Sequence, residues 1–481
     1  MKNRKILLVI MLGLAARIFL LPLPGTEDMR TNQLWGARVL ERGVSRVYIY
    51  EDRDYLAKGF LLWHGLPFHS AHVEYQTELG KLDHVPNCPP LSIYAFALSA
   101  ALARQVQGGR LKEGGFLNAC FNLLPVLCAL ATALILWSFV GREKLGEAWP
   151  VLAAFWLNPV MLFHTPILGY VDAVFAVVGF GSLVALYRRR YTSSVIFAAL
   201  SCMIKPQGVL ILPVIFLTLW LERDRELLRR SILIFGLFVL LPFIPFIATG
   251  RALAAVRGTL QVVHVGFLSA QQANFWWLVS WVLPAVSRGS FAALLDPVSM
   301  MPVAGLPRWL SFGFRGLSLL LCAGFVAVTL LYLRKELARG NRLAIFWAGA
   351  LYIYGYTMLA LYPLENHLYA FFVYVLPLLV LSDRVFSKLY WGLSAVFALN
   401  LFLFDAFGRG TEGAANALRF TLGFDLTVAL SALNLLLFVS IVLAPGWHFP
   451  ATQRGDPRGG SVPTEPPSHP PAAAAGIGGT A

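Results

Sequence analysis

The stretch 1–28, MKNRKILLVIMLGLAARIFLLPLPGTED, decides the fold class of this protein. Three basic residues precede an apolar run from Ile6 to Leu23, which is long enough for one helix to cross a bilayer. A secretory signal peptide begins in a similar way, but no small-residue cleavage site follows here. The stretch therefore predicts an uncleaved first transmembrane helix whose N-terminus stays in the cytoplasm.

The same composition continues along the chain. Of its 481 residues, 58% are hydrophobic and only 13% are charged, and this charged share is about half that of a soluble domain. The apolar runs therefore predict an all-α, polytopic transmembrane protein with about 11–13 spans. One run, 194–221, contains Lys205-Pro206-Gln207, which predicts a break in the helix at that point.

Charge is unevenly distributed along the chain. The formal net charge is +14, but 25–88 carries seven Lys or Arg against nine Asp or Glu. Basic residues are retained on the cytoplasmic side of membrane proteins, so the positive balance indicates topology and not a nucleic-acid partner. We expect a membrane domain over 1–445, with a long extracytoplasmic loop at 24–88, and a disordered Pro/Gly/Ala-rich tail at 446–481.

Metal binding has little support in the sequence. The five cysteines form no CxxC pair, which argues against a metal cluster or a disulfide framework. The first loop carries His64, His69, His72, His84, Glu74, Glu78 and Asp83. Their spacing matches no ligand motif. We predict a solvated loop and no metal, with a divalent cation as the alternative.

Thr26-Glu27-Asp28 is the first candidate for chemistry, because it lies just beyond the outer end of the first predicted span. The apolar and charged residues of 33–43 predict a helix lying in the membrane interface. A carboxylate held beside such a helix suits a general base for an acceptor hydroxyl. The alternative is that Glu27 and Asp28 only stabilise the N-terminus of the next helix.

A second group of candidates lies at the ends of later spans. Asn158-Pro159 is followed by His164, Gly169, Tyr170 and Asp172, and ionisable groups at such depths are often functional. The alternative is a helix-capping Asp and a satisfied core His. Lys205 lies at a predicted helix break, where its ammonium could bind a phosphate inside a cavity. The alternative is that its side chain extends to the membrane interface.

Three further segments complete the candidates. Glu365-Asn366-His367 separates two apolar runs, where a lone His is usually structural. Arg251 and Arg257 precede a cluster from Asn274 to Trp277, which is more typical of an interfacial aromatic belt than of a sugar platform.

In this order, the motifs resemble the GT-C superfamily of membrane glycosyltransferases that use polyprenyl-phosphate sugars, especially bacterial proteins related to GPI mannosyltransferases and to a related type of membrane glucosyltransferase. The resemblance covers roughly 6–382. The matching residues are Asp28, Trp35, Gly43 and Tyr48, Pro89-Pro90-Leu91, Asn158-Pro159, Gly169 with Asp172, Lys205-Pro206-Gln207 with Pro213, Ser269 to Trp276, and Glu365-Asn366-His367 with Pro377. Two positions depart from the family pattern: Tyr170 stands where Gln is usual, and Leu364 stands where a first His is common.

The resemblance implies an inverting transfer of mannose or another hexose or pentose from a polyprenyl-phosphate donor. The acceptor would be a hydroxyl on a glycan, glycolipid or protein at the extracytoplasmic face of a bacterial inner membrane. Asp28 would be the base, and Asp172 would assist or orient. Donor contacts are implied for Lys205, His367, Arg251, Arg257, Glu365, Tyr170, Asn274 and Trp276. No metal or other cofactor is required for a phosphate leaving group.

Two other functions remain as alternatives. A transporter or flippase for lipid-linked sugars would also have many spans and broken helices, but its halves usually repeat and its charges lie near the bilayer midplane. An O-antigen ligase or polymerase also uses polyprenyl-linked sugars, but its large outer loop comes late in the chain. Here the long loop comes first, and we see no clear internal repeat.

Overall fold

The computed structural model describes residues 2–49, 75–82, 86–143, 147–261, 266–380, 384–406 and 410–443. These residues all belong to one compact unit, Met1–Ala444. The predicted tail and the loop residues His64, His69, His72, His84, Glu74 and Asp83 lie outside the described residues.

The described chain is almost entirely helical. The α-helices, numbered in chain order, are α1 Lys2–Leu20, α2 Glu27–Arg42, α3 Pro90–Val106, α4 Gly115–Arg142, α5 Ala148–Trp156, α6 Pro159–Phe163, α7 Asp172–Tyr187, α8 Tyr191–Ile204, α9 Leu212–Leu221, α10 Arg225–Leu240, α11 Ile244–Ala248, α12 Ala252–Gln261, α13 Phe275–Arg288, α14 Arg308–Ala338, α15 Ala344–Leu359, α16 Tyr369–Tyr374, α17 Leu376–Leu379, α18 Arg384–Asp405, α19 Glu412–Arg419 and α20 Leu426–Leu443.

Shorter elements connect them. A π-helical turn, His164–Leu168, follows α6, and 3-10 turns cover Val44–Arg46, Pro206–Ile211, Leu241–Phe243, Phe291–Leu295 and Val303–Gly305. The strands Tyr75–Thr77 and Gly80–Leu82 form a small antiparallel hairpin in which Tyr75 pairs with Leu82.

The membrane character of the fold agrees with the sequence, but the number of full spans is smaller than predicted. Within the described residues, five helices are long and apolar enough to cross a bilayer, or six if α5 and α6 are counted as one bent span. Four other apolar segments are helices of only 10–17 residues. The predicted 11–13 spans are therefore not found as full-length helices, because several apolar runs are divided by breaks or form short helices. The predicted first span is an unbroken helix, α1, but it is not among the five, since it carries four basic residues.

The break between α5 and α6 has a clear local cause. The two helices meet at 55°, and Asn158 Oδ1 accepts a hydrogen bond from Val160 N–H at 3.0 Å. Pro159 then occupies the first helical position, where its missing N–H costs nothing. Asn158 Nδ2 also donates to Ser394 Oγ at 2.8 Å, which ties the bend to α18.

The predicted break at Lys205 is confirmed. Helix α8 ends at Ile204, and Lys205 has extended backbone angles, φ −141° and ψ 137°. Pro206 then begins a 3-10 turn that continues into α9. The pre-proline residue is driven out of the helical region by contact with the proline ring, which explains the position of the break.

Helix α2 packs into the protein more deeply than an interfacial helix does. Trp35 is 5% exposed and lies against Phe96 of α3, with the ring centroids 6.1 Å apart. Gly36 makes this approach possible, since a Cβ there would come within 2.7 Å of the Phe96 carbonyl oxygen. The face predicted to contact lipid is thus largely covered by α3.

The structure also relates the loop before α4 to the first loop. Arg30 of α2 pairs with Glu113, and Glu78 Oε2 accepts from Leu111 N–H at 2.8 Å. The basic residues Arg110 and Lys112 therefore lie on the same side of the molecule as α2. The sequence alone left the side of this loop open.

Candidate functional site

A cavity of about 340 Å³ lies where the N-terminus of α2 meets the C-terminus of α18. Its lining residues are Thr26, Glu27, Asp28, Tyr170, Gln271, Leu364, Glu365, Leu403, Phe404, Asp405, Ala406, Glu412, Ala415 and Asn416. Three of the predicted site residues, Asp28, Tyr170 and Glu365, are brought together here from distant parts of the chain.

Asp28 lies in the first turn of α2. Thr26 is the N-cap, and its hydroxyl accepts from Met29 N–H at 3.4 Å. Carboxylates in the first turn interact favourably with the helix dipole, so the capping interpretation of Glu27 and Asp28 describes part of the geometry. Asp28 also faces the cavity, which a role limited to capping does not require.

Two glycines bring Asp28 close to Tyr170. A Cβ at Gly25 would lie 2.8 Å from the Ile167 carbonyl oxygen, and one at Gly169 would lie 2.7 Å from Met29 Sδ. Gly169 also has a φ of +68°, which side-chain-bearing residues rarely adopt. The turn before α2 therefore packs directly against the turn before α7.

Tyr170 connects two buried acids. Its hydroxyl lies 2.9 Å from Glu365 Oε1 and also contacts Asp405 Oδ2. A phenol has one proton and can donate to only one carboxylate, so the second contact is favourable only when a carboxyl is protonated. The hydrogen bonds among Tyr170, Glu365 and Asp405 are therefore all favourable when the Glu365–Asp405 pair carries one proton.

The electrostatic surroundings of Glu365 favour a protonated carboxyl, as these hydrogen bonds require. Its side chain is buried, with 2% of the residue exposed. Burial, and then the nearby charges of Asp405 and Asp28, raise the pKa of Glu365 well above its ordinary value. The protonated form of Glu365 is thus favoured at a pH where an exposed glutamate is ionised.

Asp172 and Lys205 form a separate, buried ion pair. Lys205 Nζ lies 2.8 Å from Asp172 Oδ1 and 2.7 Å from Oδ2. Asp172 is fully buried, whereas 13% of the Lys205 side chain is exposed. Neither residue lines the cavity. The geometry shows Asp172 holding the Lys205 ammonium, which fits the orienting role that the resemblance implies for Asp172.

His367 is held as a neutral imidazole. Its Nδ1 accepts from Leu364 N–H at 3.1 Å, which only an unprotonated Nδ1 can do. Its Nε2 lies 3.1 Å from the Gln207 side-chain amide. Burial and the Lys205 charge lower the pKa of His367 well below its usual value. A cationic role for this residue is therefore disfavoured, and a hydrogen-bonding role remains.

Asn274 and Trp276 have structural partners and do not line the cavity. Asn274 caps α13 by accepting from Trp277 N–H at 2.9 Å, and its amide donates to the Thr357 carbonyl at 3.0 Å. Trp276 is fully buried, and its indole donates to the Leu359 carbonyl at 2.8 Å. We therefore leave both residues out of the proposed site.

The two predicted arginines and His164 lie elsewhere. Arg251 and Arg257 belong to the region of α12, which packs against the first loop at Gly258, where a Cβ would come within 2.4 Å of the Tyr48 ring. His164 is fully buried and stacks on Tyr369, with the ring centroids 4.2 Å apart. None of the three lines the cavity.

Sequence reasoning missed Asp405 and the wall formed by α19. Asp405 ends the apolar helix α18, and Glu412, Ala415 and Asn416 of α19 face the cavity. An acidic residue at the end of an apolar run was a usable signal for Asp405. No sequence signal pairs it with Tyr170, since 234 residues separate them in the chain.

Among the described residues, no group of three His, Cys, Asp or Glu side chains has the geometry to hold a metal ion. Comparison of the chain with protein-family models and with curated proteins found no match. The resemblance to the GT-C superfamily therefore remains an expectation based on the motifs.

Proposed function

We propose that the protein is an integral-membrane, inverting glycosyltransferase of the GT-C type. It would move a sugar from a polyprenyl-phosphate donor to an acceptor hydroxyl on the extracytoplasmic face. The observation that carries the proposal is the convergence of Asp28, Tyr170 and Glu365 on one cavity of about 340 Å³. Asp28 and Glu365 belong to two separate motifs of the resemblance, and Tyr170 lies within a third, at a position where this chain departs from the family pattern.

Asp28 is the proposed general base. The acceptor hydroxyl transfers its proton to the Asp28 carboxylate while its oxygen attacks the anomeric carbon of the sugar. The bond from that carbon to the phosphate oxygen breaks, and the electron pair leaves with the lipid phosphate. Asp28 lies close to the buried acid Glu365, and the Asp28 charge contributes to the raised pKa of Glu365.

The donor phosphate is assigned to the side of Lys205. Its ammonium is oriented by both carboxylate oxygens of Asp172 and remains partly accessible. A preorganised cation offsets the charge that grows on a leaving phosphate. The neutral His367 ring, with its proton on Nε2, supplies a hydrogen-bond donor close to Gln207 in the same region. Arg251 and Arg257 remain less favoured candidates for this contact.

The most informative test uses the full-length protein purified in lipid nanodiscs. A panel of polyprenyl-phosphate hexoses and pentoses is supplied with membrane-extract acceptors, and release of polyprenyl phosphate is measured. We expect release from at least one donor. If no donor is consumed, and the protein in proteoliposomes instead moves an intact donor across the bilayer, the transporter alternative replaces this proposal.

A further inference from the structure

Arg17 is a buried cation in the last turn of the first helix. It is fully buried in α1, although it lies within the run that the sequence presents as apolar. Removing a guanidinium from water is costly unless its N–H groups find good partners. A guanidinium buried within the protein in this way therefore requires a specific set of acceptors.

Arg17 finds acceptors that are all neutral. Nη1 donates to the carbonyl oxygens of Trp156 at 2.8 Å and Gly13 at 3.1 Å. Nη2 donates to the Met161 carbonyl at 3.4 Å, and Nε to Thr165 Oγ1 at 3.4 Å. The guanidinium carbon also lies 3.7 Å from the centre of the Trp156 ring.

These acceptors belong to both sides of the bend between α5 and α6. Trp156 is the last residue of α5, where carbonyls lack a partner within the helix and a cation is favourable. Met161 lies in α6, and Thr165 lies in the π-helical turn that follows. One side chain thus bridges two helical segments that meet at 55°.

A second hydrogen bond also joins α1 to the end of α5. The Trp156 indole donates to the Ile10 carbonyl at 2.9 Å. Gly13 leaves room for that ring, since a Cβ at Gly13 would lie 2.3 Å from Trp156 Cδ1. The close fit of α1 and α5 therefore depends on Gly13, Arg17 and Trp156 together.

The two elements that Arg17 joins lead directly to the two sides of the cavity. Helix α1 ends at Leu20, and a short turn leads from it to Asp28 at the start of α2, whereas the π-helical turn ends at Leu168 and is followed by Tyr170. We propose that Arg17 is a positioning residue that sets the spacing between Asp28 and Tyr170. This inference rests on the proposed function, because its catalytic consequence is the geometry of that cavity.

Arg342 provides a matched control. It also donates to carbonyls at a helix C-terminus, through Nε to Tyr187 O at 2.9 Å and Nη2 to Leu186 O at 2.7 Å. These carbonyls end α7, at the opposite end of that helix from the residues near the cavity. Loss of Arg342 therefore removes the same kind of carbonyl contact, together with its ion pair to Glu222 at 3.6 Å, at a distance from Asp28 and Tyr170.

The test compares Arg17→Met, Arg17→Lys and Arg342→Met. With Arg17→Met we expect kcat to fall at least tenfold while KM for the donor changes less than threefold, because the Asp172–Lys205 pair proposed for the donor phosphate is not moved. Arg17→Lys keeps the charge but not the planar donor set and should be intermediate. Arg342→Met should keep kcat within twofold. Equal losses of kcat in both Met variants, or full kcat in a folded Arg17→Met protein, overturn the proposal.

A second measurement separates this inference from the proposed function. Hydrogen–deuterium exchange needs no substrate, and in Arg17→Met it should show faster exchange at 157–171, with exchange at 184–190 unchanged. Arg342→Met should show the reverse pattern. If Arg17→Met leaves exchange at 157–171 unaltered, the positioning role is wrong.

If the exchange result holds and no donor is turned over by the wild-type protein, the proposed function fails alone. If Arg17→Met does not fold, Arg17→Lys provides both readouts.

Discussion

Tyr170 is the residue at which this chain departs most clearly from the family that it resembles. Where that family usually has Gln, a phenol bridges Glu365 and Asp405. The bridge links three elements that are distant in sequence: the turn before α7, the turn after α15, and the end of α18. Its stability depends on a proton shared by the two acids, so it gives the cavity a dependence on pH.

The first prediction concerns that proton. In the folded protein the pKa of Glu365 lies well above the ordinary value of 4.5, so the folded state binds this proton more tightly than the unfolded state. The free energy of unfolding therefore decreases as the pH rises from the ordinary pKa towards the raised one. The variant Glu365→Gln mimics the neutral acid. Its stability, measured by thermal unfolding between pH 4.5 and 8, should therefore decrease less steeply with pH than that of the wild-type protein.

The exposed Glu226 supplies the control for this experiment. Its side chain is 68% exposed, so Glu226→Gln should keep the wild-type dependence on pH. A Glu365→Gln protein with the wild-type slope would show that Glu365 is ionised in the folded state.

The second prediction concerns the Asp172–Lys205 pair. Asp172→Asn alone leaves a buried ammonium without its counter-charge, and the free energy of unfolding should fall by about 3–5 kcal/mol. Lys205→Met alone should have a similar effect. Asp172→Asn combined with Lys205→Met removes both charges and should cost less than either single change. Denaturation of all three proteins measures the coupling, and simple additivity of the two losses would contradict a direct pair.

At the scale of elements, the break at Lys205-Pro206 was predicted, whereas the break at Asn158-Pro159 was not. The helix ends at Asn158-Pro159 and at Lys205-Pro206 follow from proline chemistry, which acts on adjacent residues and can be read from sequence. The burial of α2 was not predicted. Its alternation of charged and apolar residues fits a helix at the membrane interface as well as a helix packed in the protein. Only the contact with α3 distinguishes these two environments.

The third prediction tests the packing of α2 on α3. In Gly36→Ala the new methyl group would approach the Phe96 carbonyl oxygen to 2.7 Å, so the helices must separate. We expect a loss of about 1–3 kcal/mol in the free energy of unfolding. The control is Gly324→Ala in α14, where a Cβ meets nothing within 4 Å and alanine should be neutral or stabilising by up to about 1 kcal/mol. Equal stability of the two variants would exclude close packing at Gly36.

At the scale of the whole molecule, composition predicted the membrane-embedded, all-α class but overestimated the full-length spans. Hydropathy measures how apolar a run is, whereas the structure shows that many runs end at internal breaks. The cavity was only partly predictable. Asp28, Tyr170 and Glu365 were singled out from motifs, but Asp405, α19 and Arg17 act through contacts between segments that no local pattern relates.

The fourth prediction concerns orientation in the membrane. Lys112 lies on the same side as α2, which we propose to be extracytoplasmic, and we expect the basic residues around Arg229 on the cytoplasmic side. In intact spheroplasts, a membrane-impermeant maleimide should label Lys112→Cys, and it should label Arg229→Cys only after the membrane is opened. The unaltered protein, with its five native cysteines, sets the background. The opposite labelling pattern would place the cavity on the cytoplasmic face.

The central claim is that Asp28 takes the acceptor proton during sugar transfer. Asp28→Asn keeps the size of the side chain and its place in the first turn of α2, but it cannot accept that proton. Asp296→Asn is the matched control, because Asp296 pairs with Arg288 at the surface and has 60% of its side chain exposed. Neither change should prevent folding or insertion, which gel filtration and protease protection can check.

The deciding measurement is the rate of polyprenyl-phosphate release by these two variants from the donor that the wild-type protein accepts. We predict at least a 100-fold loss in Asp28→Asn, in line with the 10²–10⁴-fold contribution typical of a general base, and a rate within twofold of wild type in Asp296→Asn. Release at the wild-type rate by a folded, inserted Asp28→Asn protein would contradict the claim.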